Sequence, residues 1–290
     1  MEVQPLERTE RAQLITAYLA RHTKALVSPQ VERIAAAPPT GNPLYLRALL
    51  EELRLYGDHA TLNRRIDYYL AAATVDDLYQ KILGRWEEDY EGDCPGLVGE
   101  AMSLLWAARR GLSETELLEL LGARDQPLPR VYWSALYLAA EQTLVTRSGL
   151  IGFGHEYLRQ AVVSRYLSNK VTRLEAHQRV AALFQRPGLD IRKLDELPWQ
   201  LAAAEDWPAL SELLSNLPFF GTLWSAKRLD ALAYWAQLEG QSNMQMVQAY
   251  RPVLAAPERF LEYTWEVAEL LQTTGHLSEA ESLDGWLVDH

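Results

Sequence analysis

Few residues in this 290-residue sequence are of a type and spacing that could do chemistry. The stretch Pro38-Pro39-Thr40-Gly41-Asn42-Pro43-Leu44-Tyr45 turns the chain, then opens a helix that continues through Leu49, Leu50 and Leu53 toward Gly57. Pro43 suits the first helical position, because its missing N–H would have no intrahelical partner there. A Gly-x-Pro turn at the head of a helix reads in two ways, as a plain helix start after a loop or as a turn that contacts a nucleotide. The second candidate is His155, which follows Phe153-Gly154 and precedes Glu156-Tyr157-Leu158-Arg159. A helix N-terminus presents free N–H groups at its positive dipole end, and a histidine there could add a donor to a phosphate. The plainer reading of His155 is a capping or core histidine.

Catalytic signatures are missing. A nucleotide hydrolase needs a Gly-x-x-x-x-Gly-Lys-Ser/Thr loop to wrap the phosphates, and the sequence has none. It also lacks a Gly-x-Ser-x-Gly elbow and a His-Glu-x-x-His zinc helix. The carboxylate pairs Glu51-Glu52, Asp76-Asp77 and Glu87-Glu88 fall on helix faces and read as solvated charge. The single cysteine, Cys94, permits no intrachain disulfide and has no catalytic residues around it. No catalytic residue, no metal site and no cofactor held by this chain alone are expected. Residues 1–11 are charged and carry no apolar signal core, and no apolar run approaches a membrane span. A cytoplasmic protein with no membrane partner is the expectation.

These candidates have to be placed by helices. Arg8–Arg21 carries Ala12, Ile15, Tyr18 and Leu19 at helical spacing, and Ser28 caps a short helix to Ala36. The Leu-rich helix after Pro43 and a further one at 61–70 complete a small bundle, residues 1–72. Thr74-Val75-Asp76-Asp77 then sets a cap and acidic residues at the positive end of a helix running to about Glu88. Helices at 97–109, 114–121 and 131–141 follow, the middle one opened by Ser113 and Glu116. Two short β-prone runs, 143–146 and 150–153, flank Arg147-Ser148-Gly149 as a hairpin, and a helix follows over 155–167. Three helices and then a hairpin is the order of a winged-helix domain, here residues 75–170. The remainder, 171–290, reads as short paired helices. Trp199–Ala204 with Asp206–Leu214, and Trp265–Thr273 with Glu281–Val288, each read as helix, tight turn and helix, and Tyr263–Leu287, with Gly275 and Ala280 at small positions, looks like one tetratricopeptide-type hairpin. The fold class is therefore mainly α: a helical bundle, a winged helix with one β-hairpin, then a helical-repeat array.

Charge argues against nucleic acid as a partner. The formal net charge is -11, and residues 75–170 hold 10 Lys and Arg against 14 Asp and Glu. The third helix of that region, the one a DNA reader would use, is Tyr-Trp-Ser-Ala-Leu-Tyr-Leu-Ala-Ala in its middle, with Arg130 at its head. Base readout needs Arg, Asn or Gln there, and this helix reads as built for packing. A winged-helix DNA-binding regulator is the weakest of the readings.

In their order, four phrases resemble a known family: Gly41-Asn42-Pro43-Leu44-Tyr45-Leu46, Glu51-Glu52-Leu53-Arg54, Gly111-Leu112-Ser113-Glu114-Thr115-Glu116-Leu117-Leu118, and Phe153-Gly154-His155-Glu156-Tyr157-Leu158-Arg159-Gln160-Ala161-Val162. They resemble the STAND signal-transduction NTPases, in the NACHT-like branch of nephrocystin and telomerase-associated proteins. The resemblance covers residues 1–185 and is generic beyond them. It implies the part of such a protein that follows the nucleotide-binding core, either as a piece of a longer chain or as the partner of a separate ATPase. It also implies that Pro43 of the Gly41-containing turn packs on the adenine and His155 contacts the β-phosphate of ADP, once the NTPase domain supplies the rest. ADP or ATP would thus belong to the full parent. Its C-terminal helices would take a protein trigger, and activation would permit oligomerisation. A helical-repeat interaction scaffold with no nucleotide role is the alternative.

Overall fold

The computed structural model describes residues 4–123 and 126–289, with the side chain of Asp289 outside the description. The expected first domain starts at Met1 and the last ends at His290, so each includes residues outside that range. The chain divides into two compact units, Met1–Trp106 with Gly111–Thr172, and Ala107–Arg110 with Arg173–His290.

The first unit opens with α1 (Arg8–Ala20), α2 (Ser28–Ala36), a 3₁₀ turn at Pro38–Gly41, α3 (Pro43–Leu55) and α4 (Leu62–Leu70). Asn42 is the cap of α3, its Oδ1 accepting from the N–H groups of Leu44 (2.9 Å) and Tyr45 (3.3 Å). The apolar side of α3 is buried as Tyr45, Leu46, Leu49, Leu50 and Leu53. Tyr45 also donates its hydroxyl to the carbonyls of Tyr69 and Ala72, which are at and beyond the end of α4. Burial, then the charge of Asp77, pushes the Tyr45 hydroxyl up to about 12.

Next come α5 (Val75–Tyr90), α6 (Leu97–Ala107), α7 (Glu114–Leu121) and α8 (Arg130–Ala140). The caps read from sequence at Thr74 and Ser113 form, and the structure completes each as a capping box, with Asp77 on α5 and Glu116 on α7. The strands β1 (Leu144–Arg147) and β2 (Leu150–Phe153) pair antiparallel, Leu144 opposite Phe153. Ser148 and Gly149 both have positive φ, 52 and 79, so the turn is two residues long. Leu112 bridges to Ile151 from the other side, with backbone hydrogen bonds in both directions. Gly111 makes that approach possible: its φ is 90, and a Cβ would lie 2.4 Å from the Ile151 carbonyl oxygen. The first unit closes with α9 (Glu156–Tyr166), which packs on α5. The Arg165 guanidinium and Tyr166 hydroxyl donate to the Glu87 carboxylate there. Two sequence expectations change in this unit. On α8, Trp133, Leu136 and Ala140 are buried, but Val131 and Leu138 are exposed, so the helix packs along one side only. The carboxylate pairs are also not uniformly solvated. Glu51 and Glu52 are buried and Glu87 is engaged, because each faces a guanidinium on its own helix or another element.

The second unit includes most of α10 (Lys170–Phe184), then α11 (Ile191–Ala203), α12 (Trp207–Ser215) and α13 (Leu217–Gln241). After these come the short α14 (Met246–Ala249) and α15 (Arg251–Ala255), then α16 (Leu261–Thr273) and α17 (Leu277–Asp289). The expected hairpins are present as α11 with α12 and α16 with α17, turned at Glu205 (φ 57) and Gly275 (φ 86). The span of α13 is two shorter helices that meet at a kink at Lys227, whose φ of -149 and ψ of 52 are not helical. Inside this unit the carboxylate of Glu196, fully buried, accepts from the backbone N–H groups of Arg109 and Arg110 and from the Gln200 amide.

Candidate functional site

The turn that sequence singled out is built from three anchors. The Thr40 hydroxyl is fully buried and hydrogen-bonds the carbonyls of Ile34 and Ala37. Arg11 on α1 reaches in and donates to the carbonyls of Leu6, Ala35 and Ala37. Gly41 leaves room for that guanidinium, since a Cβ at Gly41 would lie 2.8 Å from Arg11 Nη2. Its carbonyl accepts from the Leu6 N–H at 2.8 Å. The glycine is thus explained by packing before any ligand is considered.

The turn forms one wall of a cleft of about 710 Å³. Pro39, Gly41 and Pro43 line it from the turn, Thr74 and Val75 from the head of α5, and Tyr157 from the first turn of α9. Prolines and a tyrosine offer flat apolar surface for a ring. The heads of α3 and α5 open on the same space, but the side chains of Asn42 and Thr74 cap their first N–H groups. Asp76 and Asp77 add negative charge at the head of α5, and burial, then Asp77, raises the Asp76 carboxyl above the usual range.

His155 is the residue before α9. Its side chain makes no capping hydrogen bond to that helix. It is half-buried and is not in the lining of the cleft, whereas Tyr157, two residues on, is. Burial lowers its imidazole pKa, and the positive charge of Arg47 lowers it further, which favours the neutral ring at neutral pH. The structure thus brings Gly41 and Pro43 into one cleft, whose lining does not include His155. Arg47 and Tyr157 were not singled out as site residues by sequence. Arg47 is four residues after Pro43 on α3 and so sits one turn further along it.

The second unit has a separate groove of about 350 Å³. Leu189, Lys193, Leu197, Leu213, Asn216 and Phe219 are among its lining residues, from α11, α12, the start of α13 and the loop before α11. Among the described residues, no three His, Cys, Asp or Glu side chains group as metal ligands. No helix among them is long and apolar enough to cross a membrane.

Against known proteins, the chain is similar to two kinds of large protein. It is 33% identical over 245 residues to a TPR repeat-containing protein of Dictyostelium discoideum, covering 84% of this chain and 15% of that protein. It is 24% identical over 306 residues to nephrocystin-3 of Xenopus tropicalis, covering 95% of this chain and 23% of that protein. It is also 27% identical over 207 residues to the human NACHT domain- and WD repeat-containing protein 1, covering 63% of this chain and 12% of that protein. The chain therefore spans less than a quarter of the length of these relatives. No protein-family model matches it. No solved structure matches it.

Proposed function

We propose that this chain is the regulatory part of a STAND signalling NTPase of the NACHT-like kind. Residues 1–72 form its helical domain, 75–170 its winged helix, and 171–290 a TPR-like helical array. The observation that carries the reading is the common cleft, with the Gly41–Pro43 turn on one wall and the first turn of α9 on another. An adenine ring would lie on Pro43 beside Gly41, and the neutral His155 would donate one hydrogen bond to the β-phosphate of ADP. The remaining phosphate contacts would come from an NTPase domain in the same or a separate chain. ADP would hold the winged helix on that domain. Exchange for ATP, or a protein trigger on the C-terminal helices, would release it about a hinge near residues 70–74 and permit oligomerisation in the cytoplasm. Such a switch works only through a difference in ligand affinity between the two states.

In the longer protein, ADP should give a calorimetric binding signal, and His155→Ala should leave the fold intact while raising basal oligomerisation. Unchanged basal oligomerisation would remove the sensor role. The second reading, a helical-repeat scaffold that only binds proteins, is supported by the groove of the second unit and by the TPR relative. It expects no heat from ADP and loss of partner binding when Leu213 or Phe219 in that groove is changed.

A further inference from the structure

The hairpin of α11 and α12 carries two opposite charges on one groove that do not meet each other. The groove, about 350 Å³, is lined from α11 by Lys193, Leu197 and Leu201, four residues apart, and from α12 by Glu212, Leu213 and Asn216. Its floor is apolar: Leu197, Leu201 and Phe219 are buried, and Leu213 is half-buried. Among the described residues, the Lys193 ammonium donates to the Arg186 carbonyl at 2.8 Å and pairs with no carboxylate, and the Glu212 carboxylate has no partner. Asn216 uses its Oδ1 to cap α13, accepting from the Phe219 N–H, which leaves its side-chain NH₂ free to donate. Other opposite charges in this unit close directly, Arg109 on Asp230, Lys227 on Asp195 and Arg228 on Glu269. Counted from the turn at Glu205, Lys193 lies five residues further out than Glu212, about 7 Å along the hairpin at the α-helical rise. That offset leaves a gap between the two charges, over apolar side chains.

An apolar floor with a few convergent polar groups is the usual make-up of a small-ligand site, and this volume falls at the lower end of their range. It has room for one large side chain with its charged end, whereas an α-helix is about 10 Å across. We propose that the groove binds a small zwitterion with an apolar body, of the class of a free α-amino acid such as leucine or phenylalanine. Its carboxylate would pair with the Lys193 ammonium, with the Asn216 amide as a second donor. Its ammonium would pair with Glu212, and its side chain would lie on Leu197, Leu213 and Phe219. A simple anion of the same shape would meet the Glu212 carboxylate, a simple cation would meet Lys193, and a neutral ligand would leave both charges unpaired. The groove lies in the second unit, so this site does not depend on the nucleotide cleft of the first.

The test is isothermal titration of the 290-residue chain with leucine and phenylalanine, each beside its carboxamide, which lacks the carboxylate, and its N-acetyl derivative, which lacks the ammonium. At least one free amino acid should bind saturably at one per chain, and either blocked form should bind about tenfold or more weakly, since each loses a charge-assisted pair. Lys193 and Glu212 both reach solvent, so their neutral variants should keep the fold. Lys193→Met should abolish the preference for the free acid over its carboxamide and keep the preference over the N-acetyl form. Glu212→Gln should do the reverse. A merely structural role for either residue would lower all affinities together and leave both preferences standing. No saturable binding of either amino acid up to about 10 mM, or unchanged preferences in either variant, would overturn the proposal. Equal binding of N-acetyl-leucinamide and leucine would also overturn it, because it would mean that the groove takes a side chain from within a peptide.

Discussion

Replacing Glu52 with alanine should destabilise the first unit more than any surface ion pair could explain. Glu52 is 5% exposed and Arg85 is 7% exposed, so both charges are out of water. The pair is bidentate, Arg85 Nε to Glu52 Oε2 at 2.5 Å and Nη2 to Oε1 at 3.1 Å, and the Tyr69 hydroxyl donates to the same carboxylate. Burial and the negative charge of Glu52 raise the Tyr69 hydroxyl well above its ordinary range. Removing one member of a buried pair typically costs about 3–5 kcal/mol, because the other charge stays buried without its partner. Here Arg85 retains one link, Nη1 to Asp89 at 2.6 Å, and Asp89 is half-exposed at its side chain. The expected loss therefore sits near the lower end, about 3 kcal/mol. The double variant Glu52→Leu/Arg85→Met should recover most of it, since a well-packed apolar pair of similar volume is often neutral against the ionic one. Urea titration followed by circular dichroism measures both, with the first unit's transition fitted on its own because two units need not unfold together. A loss under about 1 kcal/mol for the single variant, or a double variant no better than it, would refute the assignment of these charges to a buried pair.

Two further predictions follow from the backbone and from the charges of the second unit. Gly111→Ala places a Cβ 2.4 Å from the Ile151 oxygen at a positive φ, so it should cost about 1–3 kcal/mol and loosen the Leu112–Ile151 bridge. Amide exchange at Leu112 and Ile151 no faster than in the parent would count against it. In the second unit, Arg109 donates to both oxygens of Asp230, and this holds the Asp230 carboxyl below its ordinary 3.8. A lowered carboxyl adds stability that is complete above the unfolded value and lost as pH falls through the folded one. Asp230→Asn should therefore flatten the decline in stability below about pH 4, and identical acid limbs for parent and variant would exclude the pairing.

What sequence made legible was mostly local. The Thr74 and Ser113 caps and the Ser148-Gly149 turn are each settled by residues within four positions, so the chain's own neighbours decide them. Glu51 and Glu52 were misread for the complementary reason. On the helix alone they are two adjacent carboxylates, and only the approach of Arg85, 33 residues after Glu52, makes Glu52 part of the interior.

The candidate site divides along the same line. The sequence by itself determined that a turn of Gly41, Asn42 and Pro43 starts a helix, that His155 stands before another, and that no catalytic motif accompanies either. Tertiary structure decided that Pro39, Pro43, Val75 and Tyr157 share one cleft, that Gly41 is needed for the close approach of Arg11, and that His155 feels the charge of Arg47. The physical reason is range. Helix caps and turns are satisfied by hydrogen bonds a few residues apart, whereas a cleft and a shifted titration arise from groups that only burial of distant helices brings within a few ångströms of each other.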